Sequence, residues 1–196
     1  MKKITLFIFT LVITISILNA QYQFKRIDTT MKLGKVGYKV TCNNKNELKN
    51  TVQITPVGFA NSARDVNFEV KGRILKAEVD DLNRDMFPDL VIYLYNPGDK
   101  MIGNVIGVSS MSNENFMPIT FPDIVNDPKL RVGYIGMDEY TLMEGSLMRR
   151  FPLYSIDSAG VSTPLGKYRQ IQYQVVPGEK DGLKFKAVRS YEFAKQ

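Results

Sequence analysis

The chain has 196 residues, 44% of them hydrophobic, which is enough apolar content for one packed domain, and a formal net charge of +6 with no histidine. Without histidine there is no Ser-His-Asp triad, no His-ligated zinc and no imidazole acid–base step. The single cysteine, Cys42, excludes intrachain disulfides and cysteine metal clusters, and the interspersed charges suit solubility rather than a nucleic-acid footprint.

Lys2 and Lys3 precede an unbroken apolar or hydroxyl-bearing run over residues 4–18, and Asn19-Ala20 follows with a small residue. That is the pattern of a secretory signal peptide, residues 1–20, cut after Ala20. The alternative, an uncleaved anchor, needs about 18–20 apolar residues to span a bilayer, more than this run supplies. Cleavage leaves a single domain over residues 21–196, carrying a charge of about +4 once the two lysines are gone and destined for the periplasm or the medium. No heptad run, internal repeat or low-complexity tract is present.

Residues 21–35 are polar and irregular, a lead-in with a short strand around residues 22–27. Residues 35–42 alternate through Val36, Tyr38 and Val40, and residues 51–57 alternate again through Val52 and Ile54, so each reads as a strand with one buried face. Cys42, at the end of the first, is expected to be buried and inert. Residues 66–71 form another strand. RILKAEVDDLNRDMFPDLVIYLYN, residues 73–96, is then a central hairpin. Its first arm alternates Leu75, Ala77 and Val79 with Lys76, Glu78 and Asp80. Its second arm, residues 90–95, is apolar or aromatic throughout, as in a strand covered on both faces. After a glycine-rich turn over residues 96–104 come strands at 105–111 and 116–121, then the longest irregular stretch, residues 122–140. Residues 142–154 read as one strand with Gly145 at a bulge or corner. Residues 155–166 read as a loop, and residues 167–176 and 183–193 as a last hairpin around PGEKDG. No segment has a helical period. The expected fold is all-β, an antiparallel sandwich or flattened barrel of about eight to ten strands.

Three constellations bear on chemistry. In the central turn, Asp81, Asn83, Asp85 and Asp89 place oxygen side chains where a calcium loop has ligands. However, Met86 occupies the glycine position and no glutamate follows at the twelfth, so a structural Asx turn is the favoured reading and no cofactor is expected. Asp138-Glu139 with Asp123 or Asp127 offers carboxylates for a hydrolase pair, but such acids in a loop are usually solvated. Ser109, Ser110 and Ser146 lack a G-x-S-x-G elbow. In Arg149-Arg150 one side chain must face water and the other inward, where it needs a carboxylate, Glu144 or Asp138. Tyr134, Tyr140 and Tyr168 are the exposed aromatic candidates.

The order AEVDDLNRDMFPDLVIYLY, VGYIGMDEYTLMEGSLMRRFPLY and YRQIQYQVVPGE resembles the PliI family, periplasmic inhibitors of invertebrate-type lysozyme, over about residues 37–193. The resemblance implies a β-sandwich-like fold, a non-enzymatic role and export. It also implies a loop inserted into the lysozyme cleft, with a serine and a tyrosine of an S-G-x-x-Y-like motif near the catalytic carboxylates. That loop falls on residues 96–104, NPGDKMIGN, where Gly98 is kept, Pro97 stands in place of the serine and no tyrosine follows. The expected partner contacts are Asn96, Pro97, Gly98, Asp99 and Lys100, with Tyr134, Asp138 and Arg150 as a second group. The expected partner is a lysozyme or another cell-wall hydrolase, with no nucleic acid, no stable membrane insertion and a homodimer allowed. The alternative is a calcium-stabilised surface module that binds glycan or protein without inhibition.

Overall fold

The computed structural model describes residues 24–60, 63–98 and 100–194, and the expected signal peptide lies outside them. The architecture is nearly all β, in two sheets. The first is antiparallel, in the order β1 (Ile27–Leu33), β2 (Val36–Cys42), β3 (Asn50–Val57) and β4 (Val66–Val70). The second contains β5 (Arg73–Asp80), β6 (Asp89–Tyr95), β7 (Gly103–Met111), β8 (Asn115–Thr120), β9 (Glu139–Met143), β10 (Ser146–Ile156), β11 (Ser162–Pro177) and β12 (Leu183–Ala194). Its spatial order is β5-β6-β7-β8-β12-β11-β10-β9. Every pairing is antiparallel except the short β12–β8 contact, where Leu183 and Lys184 lie beside Ile119 and Thr120. The eight strands curl until their two edges meet. The Gly145 amide, in the turn after β9, donates to Asp80 Oδ2 at the end of β5 across 3.2 Å, so the sheet is a nearly closed barrel.

Strand β6 organises both layers. Side chains alternate across a strand, so β6 between two layers has no polar face. Val91, Tyr93 and Tyr95 enter the barrel with Leu147, Phe151, Ile171 and Tyr173, while Leu90, Ile92 and Leu94 pack against Tyr38, Val40, Val52 and Ile54 of the first sheet. At about 1.5–3 kcal/mol per fully buried large apolar side chain, one strand contributes to two cores at once. Cys42 is buried and free, as expected, and burial raises its thiol pKa.

Several boundaries differ from the sequence reading. The described residues form twelve strands rather than eight to ten. Residues 24–26 are not in a strand and the first described strand begins at Ile27, with its register running from Ile27 beside Cys42 to Leu33 beside Val36, while the start of the expected short strand at residues 22–23 lies outside the described residues. Residues 142–154 are not one strand. Glu144 and Gly145 both have positive φ, 49° and 69°, the conformation of a tight two-residue hairpin turn that joins β9 to β10. The loop expected over residues 155–166 shrinks to five residues, because β10 and β11 continue to Ile156 and Ser162. The long stretch after β8 contains one 3₁₀ turn, Ile124–Asn126, whose first amides are capped by the Asp123 carboxylate at Val125 N. No helix among the described residues is long and apolar enough to cross a membrane.

Candidate functional site

The two loops singled out in the sequence, the turn after β6 and the segment before β9, meet at one end of the barrel. Asn96 N donates to Ile102 O across 2.9 Å, which closes the first loop at its base. Met137 N and Asp138 N then donate to Lys100 O and Met101 O, at 2.6 and 3.1 Å, stitching the second loop to the first. Gly136 allows that contact. Its φ is +117°, and a Cβ there would lie 2.0 Å from Lys100 O. Gly98 and Lys100 are exposed at the tip, Asn96 and Pro97 are half-buried, and Asp99 lies outside the described residues.

Asp138 is the clasp beneath this rim, and it is fully buried, so its expected role as a partner contact does not hold. Its Oδ1 accepts from Arg149 Nε at 2.7 Å. Its Oδ2 accepts from Arg149 Nη2 at 3.1 Å, from the Gly103 amide at 2.7 Å and from the Tyr134 hydroxyl at 2.6 Å. Tyr95 Oη donates to the Asp138 carbonyl at 2.8 Å. A carboxylate held by two forked guanidinium bonds and two further donors is the satisfied form in which a buried charge is tolerated. Arg149 is 2% exposed and lies over the faces of Tyr134, Tyr140 and Phe151, with 5.0 Å to the Tyr134 ring centroid. Burial opposes its charge, but the Asp138 carboxylate bonded to it outweighs burial and holds its pKa above the ordinary arginine range. The inward member of the arginine pair is therefore Arg149, and of the two carboxylates weighed for it the partner is Asp138, not Glu144.

The remaining second-group residues separate. Tyr134 is half-buried, with its ring edge-on to Phe151 at 4.8 Å, and burial followed by the nearby Asp138 charge raises its pKa. Tyr140 is buried in the barrel core, stacked on Tyr93 at 5.7 Å, so it is not an exposed platform. Arg150 is exposed but points to the outer face of the sheet, where it pairs with Glu139 and lies over Tyr168. The sequence reading did not mark Tyr95, Gly103 or Gly136 as parts of the rim. Gly136 and Gly103 sit where backbone and ring atoms approach too closely for a side chain, a contact that exists only after folding.

The acidic turn between β5 and β6 directs its oxygens at its own backbone. Asp81 accepts from Asp85 N and Met86 N, Asn83 from Asp85 N, and Asp85 from Phe87 N. Asp89, fully buried, accepts from Leu82 N, Asn83 N and Ser110 N. Burial raises its carboxyl pKa to about 6, with the hydrogen bonds from Ser109 and Leu82 opposing the rise. No group of three or more acidic or cysteine side chains among the described residues is placed to hold a metal ion. Met86 takes the glycine position of a calcium loop with φ 68°, so the backbone follows a left-handed path without the residue that usually supplies it. Of the carboxylates weighed as a catalytic pair, Asp123 and Asp127 cap local turns, Asp138 is taken by Arg149 and Glu139 by Arg150. Ser109, Ser110 and Ser146 are all buried.

No protein-family model matches the chain, and no curated protein is similar to it at a significant level. A solved structure from Xanthomonas, described as that of a type IV secretion system related protein, is similar at 9% identity with a TM-score of 0.33. It covers 83% of this chain and 93% of that one, and at so low a score the likeness carries no argument.

Proposed function

We propose that the protein is an exported, non-enzymatic binding protein of the PliI kind, which blocks the substrate cleft of a lysozyme with its rim loops. The observation that carries this reading is the clamp between residues 96–102 and 134–138. The loop that the resemblance marks as inhibitory is tied by backbone bonds to a second loop and fixed from below by the Asp138–Arg149 pair. Preorganised loops on a rigid β scaffold lose little entropy on binding, which is what an inhibitor loop needs. Pro97 and Met101 stand at the positions of the family motif's serine and tyrosine, and the ammonium of the exposed Lys100 beside them is a donor that a pair of catalytic carboxylates would accept. The net positive charge favours an acidic target, because long-range attraction sets the association rate. No cofactor enters this reading.

The test is lysis of a bacterial cell suspension by invertebrate-type lysozyme, with and without the purified protein. Inhibition is expected, and Lys100→Glu should weaken it by at least tenfold while the melting temperature stays unchanged. If a large molar excess slows neither the invertebrate-type enzyme nor the chicken and goose types, the proposal fails.

A further inference from the structure

The outer face of β11 and β12, on the side of the barrel wall away from Ile171, Tyr173 and Phe185, carries a feature that the rim does not use. Strand register places Tyr168 beside Phe193, Gln170 beside Tyr191, Gln172 beside Arg189, Gln174 beside Lys186 and Val176 beside Lys184. Residues two apart share a face, and a β-bulge that leaves Val188 without a partner brings Lys186 to the same side as Arg189, so these pairs form a track of five rows. At about 3.4 Å per residue it runs roughly 27 Å along the sheet. Aromatic rings fill the first row and half of the second, and from there the amides of β11 run beside Tyr191 and then beside the cations Arg189 and Lys186 of β12, with Lys184 in the last row.

At the aromatic end Tyr168 and Phe193 stack with ring centroids 5.9 Å apart and 19° between planes, and Tyr191 lies 6.1 Å from Phe193. None of the three belongs to either hydrophobic core, and Tyr191 is 43% exposed. Arg150 holds the rim of this cluster, 5.4 Å from the Tyr168 centroid, and Gln170 Nε2 donates to Tyr191 Oη, so the rings are set in place before any ligand arrives. At the far end Lys184, Lys186 and Arg189 are exposed and form no ion pair among the described residues. Of the carboxylates along these strands, Glu139 is occupied by Arg150 and Glu192 by Arg169, while Glu179 and Asp181 lie beyond Lys184 in the hairpin turn.

We propose that this track binds a linear polysaccharide strand bearing carboxylates. Ring faces cover the apolar faces of sugars, each glutamine amide offers both a donor and an acceptor to a hydroxyl-rich chain, and the unpaired cations meet the carboxylates. Lysine is depleted at the centre of protein–protein interfaces, which disfavours a protein occupant. A nucleic-acid strand needs cations that follow its backbone between the stacking rings, whereas here the rings lie in the first two rows and the unpaired cations Arg189, Lys186 and Lys184 in the last three.

The experiment is calorimetric titration of the purified protein at low salt with hexagalacturonate, with maltohexaose as an uncharged strand and with an eight-nucleotide oligothymidylate. Hexagalacturonate is expected to bind at least tenfold more tightly than the other two. Tyr168→Ala should weaken it about tenfold, and the exposed pair Lys186→Gln with Arg189→Gln should abolish the preference over maltohexaose. The Lys100→Glu rim variant should bind hexagalacturonate like the unaltered protein, which separates this face from the rim. Absence of binding to hexagalacturonate, tighter binding of the oligothymidylate, or affinity unchanged in both track variants would each overturn the proposal.

Discussion

Arg149 is a buried charge among the apolar and aromatic side chains of the barrel, and it is tolerated because the Asp138 carboxylate that it faces is fully bonded. The carboxylate takes two bonds from the guanidinium, one from the Gly103 amide and one from Tyr134, and the ring faces around Arg149 accept the spread positive charge. The Tyr140 hydroxyl, by contrast, is buried without a hydrogen-bond partner among the described residues, so its ring rather than its polar end holds it there. Removing one partner of the ion pair strands the other. Arg149→Met should cost about 3–5 kcal/mol of unfolding free energy in urea titrations. Adding Asp138→Asn to Arg149→Met should recover part of that loss, because the uncompensated carboxylate is then gone. A double variant no more stable than the single one would show that the charge is not what matters.

At the scale of elements, the rim depends on close approach between two loops rather than on any one of their side chains. Gly136 is where the backbones come nearest, and an alanine there meets both a positive φ and the Lys100 carbonyl. We expect Gly136→Ala to free residues 96–102 from residues 134–138. Amide exchange at Met137 and Asp138 should speed by at least tenfold, with little change at β11 and β12. Unaltered protection at those two amides would mean that the clamp tolerates the methyl group. The acidic turn behaves differently. Its side chains cap their own amides, so its conformation is local, and Met86 takes the left-handed position without a glycine.

Over the whole molecule, β6 ties the four-stranded sheet to the barrel, because alternate residues of one strand belong to different cores. A structure divided there could not unfold in halves without exposing one face of β6. Ile92→Ala, on the sheet side, and Val91→Ala, on the barrel side, should therefore each lower the midpoint of a single cooperative transition seen by both tyrosine absorbance and far-ultraviolet circular dichroism. Two separated transitions in either variant would show that the layers unfold independently.

The sequence by itself determined the class of structure and its central strand. Alternation at Val36–Cys42 and at Arg73–Asp80 is a local property of neighbouring residues, and so is the unbroken apolar run of β6, so each could be read before any contact was known. The inward turn of one arginine and the Asx character of the acidic turn were legible for the same reason. Only the tertiary structure decided the rest. Whether residues 142–154 were one strand or two rested on a turn that pairs Leu147 with Leu142, and whether Asp138 met solvent or Arg149 rested on strands that lie apart in the chain. The clamp at Gly136 and the track from Tyr168 to Lys184 are relations across strands, fixed by register and closure, and no window of consecutive residues contains them.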